Sequence, residues 1–221
     1  MANGPDSGAG ERLAAARERM LELLRKHVRD DRVIEAMATV PREAFVPEAL
    51  RARAYDDAPL PIGAGQTISQ PLIVALMIEA LRVRPEDHAL EVGSGSGYAA
   101  AVLSRLVRDV VAVERVDELR VRSEQVLREL GFENVRVFAA GEQLGRAEDG
   151  PYDAILVSAG SPHVPRALID QLTDHGRMVV PVGPPRTQEL VRVEKTPYGL
   201  TLERLGPCAF VPLLGKEAWP A

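Results

Sequence analysis

The segment Glu91–Gly97, EVGSGSG, decides the fold because it lies between an apolar run and an alanine-rich one. His88–Val92 has the pattern of a short β-strand and Tyr98–Val107 that of a helix. Glycines at such a junction permit unusual backbone angles and let a ligand approach the main chain closely. Free N–H groups at the helix start add a polar cradle. The segment predicts a ligand-binding turn, with a tight turn that binds nothing as the alternative.

Strands and helices alternate from Pro85 onward. The predicted strands after the glycine turn are Val110–Glu114, Val135–Phe138, Tyr152–Ser158 and Arg177–Val182, and the predicted helices between them are Asp117–Leu130 and Pro165–Leu172. Two further strands, Leu190–Glu194 and Leu200–Leu205, flank a Thr-Pro-Tyr-Gly hairpin signal. This order predicts an α/β, Rossmann-like fold with a mostly parallel twisted sheet, helices on both faces and an antiparallel C-terminal hairpin.

The region before Pro85 has a different character. Amphipathic spacing predicts helices over Glu11–His27 and Val33–Met37. Pro41–Gly65 is dense in Pro and Gly and predicts irregular chain that covers a site as a substrate lid. A further helix starts at Pro71, with Ser69 or Gln70 as its cap.

These patterns predict one folded domain. We expect a flexible tail at residues 1–10, without a secretory signal, and a single domain over 11–221. Within it, residues 11–84 form the N-terminal helices and lid, 85–215 the cofactor-binding sheet core, and 216–221 a short tail.

Composition restricts the classes of function. The chain has 221 residues, is 46% hydrophobic and has 27 basic against 32 acidic residues, a net charge of −5. That charge disfavours nucleic acid and anionic membranes as partners. Cys208 is the single cysteine, and its isolation together with four scattered histidines predicts no disulfide and no metal site. Charges interrupt every apolar run, so we expect no membrane-spanning segment. The single cysteine fits a reducing compartment, so we expect a cytoplasmic location, and we expect a monomer.

Acidic residues beside the glycine turn indicate the ligand. Glu91 precedes a GxGxG turn and would repel a pyrophosphate, but it suits a cation such as S-adenosyl-L-methionine. Glu114 ends the next strand, where a carboxylate accepts ribose hydroxyls, a feature that NAD enzymes share. Glu142 follows the third strand, near the expected adenine edge. An NAD-linked oxidoreductase is the competing class, and the glycine spacing and Glu91 argue against it.

Further motifs occur in a fixed order along the chain. They are VPREAFVP (Val40–Pro47), AYDDAPLPIGAGQTISQP (Ala54–Pro71), PYDAILVSAG (Pro151–Gly160), PRALIDQL (Pro165–Leu172), VVPVG (Val179–Gly183) and FVPLLG (Phe210–Gly215). With these motifs the chain resembles the protein-L-isoaspartate O-methyltransferases, which are class I S-adenosylmethionine-dependent enzymes, from about Arg32 to Gly215. The resemblance implies methylation of the α-carboxylate of L-isoaspartyl residues in damaged proteins and peptides. Methylation gives the carboxyl group a better leaving group, so succinimide closure, which expels that group, and hydrolysis can restore aspartate.

The resemblance also implies the site residues. Ser69 matches the active-site serine, and it contacts substrate together with Val211 and Leu214. The cofactor site, whose product form is S-adenosyl-L-homocysteine, comprises Gln66, Thr67, Ile68, Glu91, Gly93, Ser94, Gly95, Gly97, Glu114, Arg115, Gly141 and Glu142. No metal is implied.

Some residues depart from the family pattern. Glu142-Gln143 replaces a usual Asp-Gly pair, Arg146 follows Gly145 where a Trp is common, and Leu214 replaces a usual Thr. These departures leave open a carboxyl methyltransferase of the same fold that is dedicated to one peptide. A non-catalytic sensor of an adenosine ligand is a third alternative, because one fold hosts many functions.

Overall fold

A computed structural model describes residues 7–220. Its helices are α1 (Ser7–Leu24), α2 (Asp31–Thr39), α3 (Pro71–Leu81), α4 (Tyr98–Ser104), α5 (Asp117–Glu129) and α6 (Arg166–Ile169). Its strands are β1 (Leu60–Gly63), β2 (Gln66–Ile68), β3 (His88–Val92), β4 (Asp109–Glu114), β5 (Val135–Ala139), β6 (Tyr152–Val157), β7 (Leu172–Val182), β8 (Gln188–Thr196) and β9 (Gly199–Cys208).

Seven strands form the central sheet in the order β5-β4-β3-β6-β7-β8-β9. The first five are parallel, whereas β8 is antiparallel to both β7 and β9. Every residue of β3 is buried, as is typical of a parallel strand covered on both faces. The α/β prediction and the C-terminal hairpin at the sheet edge are therefore confirmed.

The N-terminal helices differ from the prediction at their ends. α1 begins at Ser7, so residues 7–10, expected to belong to a flexible tail, are helical. The Ala and Gly residues there contain no stop signal, and extending an existing helix adds one hydrogen bond per residue. Residues 1–6 of the expected tail lie outside the described residues. In α2, the Asp30 carboxylate accepts a hydrogen bond from Arg32 N at 3.0 Å, as a cap should.

The lid segment is more regular than expected. Two 3₁₀-helices, Arg42–Phe45 and Glu48–Arg53, follow Pro41 and Pro47, whose fixed φ suits a helix start. β1 and β2 then pair as an antiparallel hairpin. Gly63 and Gly65 close its turn with φ of +105° and +71°, angles that favour glycine. The prediction of irregular chain over Pro41–Gly65 is therefore wrong for most of this segment.

Other element bounds also differ from the prediction: α4 ends at Ser104 rather than Val107, and β8 and β9 each extend beyond the predicted strands. The region around β7 contains a larger difference. β7 begins at Leu172 rather than Arg177, because Leu172 pairs with Tyr152 of β6. This pairing shortens the preceding helix, α6, which ends at Ile169 instead of Leu172. The cause is a contact between strands distant in the sequence, which local patterning does not reveal.

Candidate active site

The glycine turn between β3 and α4 forms the floor of the site. Gly93, Gly95 and Gly97 have φ of +82°, +52° and +84°. The N–H groups of Gly93 and Ser94 both donate to the Val113 carbonyl, at 2.9 and 3.2 Å, which fixes the turn to the end of β4. The turn therefore lies at the carboxyl ends of parallel strands, where ligands bind in open α/β sheets.

Two adjoining cavities lie on this turn. They share Thr67, Gly93, Gly95 and Ser158 as lining residues. Glu114 belongs to the first cavity, whereas Ser69 and Glu91 belong to the second. The arrangement provides room for an elongated ligand that crosses the glycine turn.

Glu114 is held in place by main-chain donors. Its Oε2 accepts from Gly95 N at 2.7 Å and its Oε1 from Val116 N at 2.8 Å. The side chain is 6% exposed, so its conformation is well fixed. A carboxylate oxygen has two lone pairs, so each oxygen keeps one to accept a hydroxyl of a ribose.

Glu91 is a buried acid in the second cavity. It is 1% exposed, and its Oε1 accepts from Ser158 Oγ at 2.8 Å. Its Oε2 has no hydrogen-bond partner among the described residues. Burial, with the negative charge of Glu114 adding to it, raises the pKa of Glu91 to about 8 against the opposing Ser158 bond. A cation or a hydrogen-bond donor beside Glu91 would favour its ionised form and lower this pKa again.

Ser69 lies between β2 and α3 and lines the second cavity. Gln70, not Ser69, occupies the N-cap of α3, and no side chain caps that helix. The capping role that sequence alone allowed for Ser69 is thus not used. The Ser69 carbonyl accepts from Arg42 Nη2 at 2.7 Å.

Most of the predicted site residues meet at the two cavities. Those lining the first cavity are Gln66, Thr67, Gly93, Gly95, Glu114, Arg115, Gly141, Val211 and Leu214. Those lining the second are Thr67, Ile68, Ser69, Glu91, Gly93, Ser94 and Gly95.

Two predicted residues do not line either cavity. Gly97 lies behind the turn, where it precedes α4 and packs against α5. Glu142 is exposed, while its neighbours Gly141 and Gln143 line the first cavity. The assignment of Glu142 to an adenine edge therefore stays a prediction without support from this geometry.

The sequence reasoning missed Gln143 and Ser158. Ser158 directly follows β6, whose carboxyl end adjoins that of β3. The rule that ligands bind at these ends was enough to find it. Gln143 had no such signal, because the loop after β5 has no regular pattern.

The segment Phe210–Gly215 closes the far side of the first cavity. Gly160 N donates to the Val211 carbonyl and Leu213 N to the Gly160 carbonyl, both at 2.8 Å. The Gln188 side chain accepts from Phe210 N at 2.8 Å and packs so tightly that a Cβ at Gly160 would lie 2.6 Å from its Nε2. A side chain at this position would therefore force the Gln188 side chain to shift, and Gln188 is the residue that holds the Phe210 N–H.

Within residues 7–220, no three His, Cys, Asp or Glu side chains cluster in a way that could bind a metal ion. The helices in that same part of the chain are all too short or too polar to cross a membrane.

Gly97→Ala tests the packing behind the turn. A Cβ there would lie 3.1 Å from both Leu127 Cδ1 and Ser123 Cβ, in addition to the strain of a positive φ. Gly131→Ala is the matched control, because Gly131 has φ of +74° but nothing within 4 Å. We expect Gly131→Ala to lower the free energy of unfolding by about 1–2 kcal/mol and Gly97→Ala to lower it by more. Denaturant unfolding measures both, and equal losses would contradict the packing argument.

Glu91→Gln tests the buried acid. Because its pKa rises from 4.5 to about 8 on folding, the stability that Glu91 contributes is full below pH 4.5 and is lost as pH rises through 8. Glutamine has no charge to bury, so the melting temperature of the variant should rise relative to the unmodified protein as pH increases from 5 to 9. Thermal unfolding at several pH values measures this. The exposed Glu133→Gln is the control, and a pH-independent difference at Glu91 would refute the argument.

Known proteins resemble this chain over nearly its whole length. The protein family described as Protein-L-isoaspartate(D-aspartate) O-methyltransferase matches residues 15–218. Protein-L-isoaspartate O-methyltransferase 1 of Syntrophobacter fumaroxidans is 50% identical over 206 residues, which cover 92% of this chain and 96% of that protein. The protein-L-isoaspartate O-methyltransferase of a Roseiflexus species is 51% identical over 209 residues, which cover 94% and 96%.

Solved structures agree with the sequence relatives. A protein-L-isoaspartate O-methyltransferase superposes with a TM-score of 0.81 at 30% identity, covering 91% of this chain and 67% of that one. A Plasmodium falciparum protein described as the same enzyme, in complex with S-adenosyl-L-homocysteine, gives a TM-score of 0.76 at 28% identity and covers 88% and 96%. The family match covers nearly the whole described chain, and the relatives share about 50% of its residues. The chain therefore belongs to the protein-L-isoaspartate O-methyltransferase family.

Proposed function

We propose that this protein transfers a methyl group from S-adenosyl-L-methionine to the α-carboxylate of L-isoaspartyl residues in damaged proteins and peptides, which initiates their repair. The observation that carries the proposal is the pair of cavities joined at the glycine turn, one with Glu114 and the other with Ser69. A donor that spans both cavities across the turn would bring its methyl group to an acceptor carboxylate beside Ser69. Membership of the family supports this choice of reaction.

The residues present suit the cofactor. Glu114 offers a carboxylate fixed by two main-chain N–H groups for ribose hydroxyls, and Glu91 offers a buried acid with one oxygen unpartnered among the described residues for a cation. When bound, S-adenosyl-L-methionine supplies an activated methyl group on a sulfonium, and S-adenosyl-L-homocysteine is left after transfer. Glu114 would thus hold the cofactor at its ribose, and Glu91 would hold it at a cationic group.

Ser69 orients the acceptor in this proposal. The α-carboxyl of a peptide has a reference pKa near 3.5–4, so it is already ionised near neutral pH and needs no general base. The Ser69 hydroxyl donates a hydrogen bond to one carboxylate oxygen and thereby positions the other. Val74, Met77 and Leu156 line the same cavity and exclude water from it. Orientation of this kind can supply about 7–11 kcal/mol of the barrier.

The substrate chain lies between two loops in this proposal. Tyr55–Gln70 carries Ser69, and Phe210–Gly215 carries Val211 and Leu214, which line the first cavity. Damaged sites occur in many sequences, so recognition depends on the peptide backbone and the displaced carboxylate. Leu214 is 39% exposed at the rim, and its apolar side chain favours apolar contacts where a hydroxyl is usual in the family.

We also propose the partners, the assembly state and the location of the protein. The partners are isoaspartyl proteins and peptides rather than nucleic acid or membranes, and the protein acts as a monomer in the cytoplasm. The net charge of −5 disfavours nucleic acid and anionic membranes as partners, and the single cysteine supports a reducing location such as the cytoplasm.

The apolar Leu214 keeps a dedicated peptide substrate as a second candidate. Methyl-acceptor assays with isoaspartyl and normal aspartyl peptides of several sequences distinguish the two. Turnover of isoaspartyl peptides irrespective of sequence supports repair, whereas turnover of one sequence alone supports the second candidate. Calorimetry with S-adenosyl-L-homocysteine and NAD tests the cofactor, and binding without any turnover would indicate a sensor.

Ser69→Ala tests the acceptor site. Loss of a hydrogen bond to a charged group should reduce kcat with an isoaspartyl peptide by about 10- to 100-fold. The affinity for S-adenosyl-L-homocysteine should stay close to that of the unmodified protein, because the hydroxyl serves the acceptor. Radiolabelled methyl transfer and calorimetry measure these quantities. Ser104→Ala is the control, since that hydroxyl bonds only the Ala101 carbonyl within α4 among the described residues. Full turnover by Ser69→Ala would refute the assignment.

A further inference from the structure

Arg42 is the largest side chain that is completely buried in the described part of the chain. It begins the first 3₁₀-helix of the lid segment. Its Nε donates to the Ala54 carbonyl and its Nη2 to the Ser69 carbonyl, both at 2.7 Å. The guanidinium also lies over the Tyr98 ring, with Cζ 4.6 Å from the centroid. One planar group therefore contacts the lid, the Ser69 main chain and the first residue of α4.

The charge of Arg42 is poorly compensated. The described residues place no carboxylate within ion-pair distance of it, and its Nη1 has no hydrogen-bond partner among them. Burial lowers the pKa of the Arg42 guanidinium from its usual value, which reflects the unfavourable environment. An apolar side chain of similar volume would avoid this cost to stability. The benefit to the site is the fixed geometry of the two hydrogen bonds that the guanidinium donates.

Arginine suits this position because its donors point in fixed, divergent directions. The guanidinium is planar, so it can bond two carbonyls and stack on an aromatic ring at once. The Lys ammonium is a compact point charge and cannot keep both bonds and the stack. The arrangement therefore depends on arginine rather than on a positive charge alone.

Ser69 needs such support because regular structure ends on both sides of it. β2 ends at Ile68, and α3 begins at Pro71 without a side-chain cap. On the α3 side, Asp57 Oδ1 accepts from Leu72 N at 2.9 Å. The carbonyl of Ser69 itself is held by Arg42.

We propose that Arg42 is a positioning residue for methyl transfer, which fixes the Ser69 main chain against the start of α4 and so aims the Ser69 hydroxyl at the acceptor carboxylate. This inference rests on the proposed function of Ser69. Arg42 touches neither cavity, so it acts through Ser69 and not on the substrate.

Arg42→Lys is the test, with Arg177→Lys as the matched control. Arg177 is also largely buried and donates to the carbonyls of Leu81 and Arg82 while paired with Asp87, but it lies in β7 away from both cavities. Both variants should lower the melting temperature. Only Arg42→Lys should lower kcat with an isoaspartyl peptide, by about 10- to 100-fold as expected for a misplaced group.

Two further readouts separate positioning from general destabilisation. Calorimetry should show that Arg42→Lys loses less affinity for S-adenosyl-L-homocysteine than it loses in kcat, because Glu91 and Glu114 stay in place while residues 66–69 loosen. Amide hydrogen exchange without any ligand should accelerate over residues 66–72 in Arg42→Lys and not in Arg177→Lys. Arg42→Gln, which keeps a donor without the fork, should show the same pattern.

Three other outcomes would count against the inference or against the proposed function. A folded Arg42→Lys with normal kcat and normal exchange over residues 66–72 overturns the inference. Failure of both Arg42 variants to fold, while Arg177→Lys folds, makes Arg42 a general folding residue and also overturns it. Absence of turnover by the unmodified protein refutes the proposed function instead, and the exchange experiment still reports on the contact between Arg42 and Ser69.

Discussion

The attachment of the glycine turn to the end of β4 is the constraint on which the site depends. One carbonyl, that of Val113, receives two N–H groups from the turn, and the Glu114 side chain receives a third from Gly95. A parallel sheet makes this possible because it brings the carboxyl ends of β3 and β4 to one edge. The same carboxylate that organises the turn is the one available to a ribose, so the scaffold and the binding site are not separable here.

The sequence predicted those parts of the molecule that local pattern determines. β3 was predicted with its correct bounds, and the glycine turn, Glu114 and Ser69 line the two cavities, while the roles assigned to them stay predictions. The β1–β2 hairpin was missed because its strands are short and rich in Pro and Gly. Local pattern carries no information about contacts between distant segments, such as that of Arg42 with Ser69.

The loop after β5 shows the limit of motif transfer. The resemblance assigned both Gly141 and Glu142 to the cofactor site, whereas the structure places Gly141 and Gln143 in the lining of the first cavity and leaves Glu142 exposed. A loop without regular structure can turn any of several neighbouring side chains inward, and its main-chain path depends on what packs against it. There the Glu142 carbonyl accepts from Lys216 N at 3.4 Å, a contact with the C-terminal segment.

The tight fit of Gly160 against Gln188 has a practical consequence for redesign. These two residues contact the segment that carries Val211 and Leu214, and a larger residue at position 160 would push against the Gln188 side chain that bonds the Phe210 N–H. Libraries aimed at a new peptide preference should therefore hold positions 160 and 188 constant and diversify 211 and 214. Side chains at those two sites can be exchanged while the backbone that presents them keeps its path.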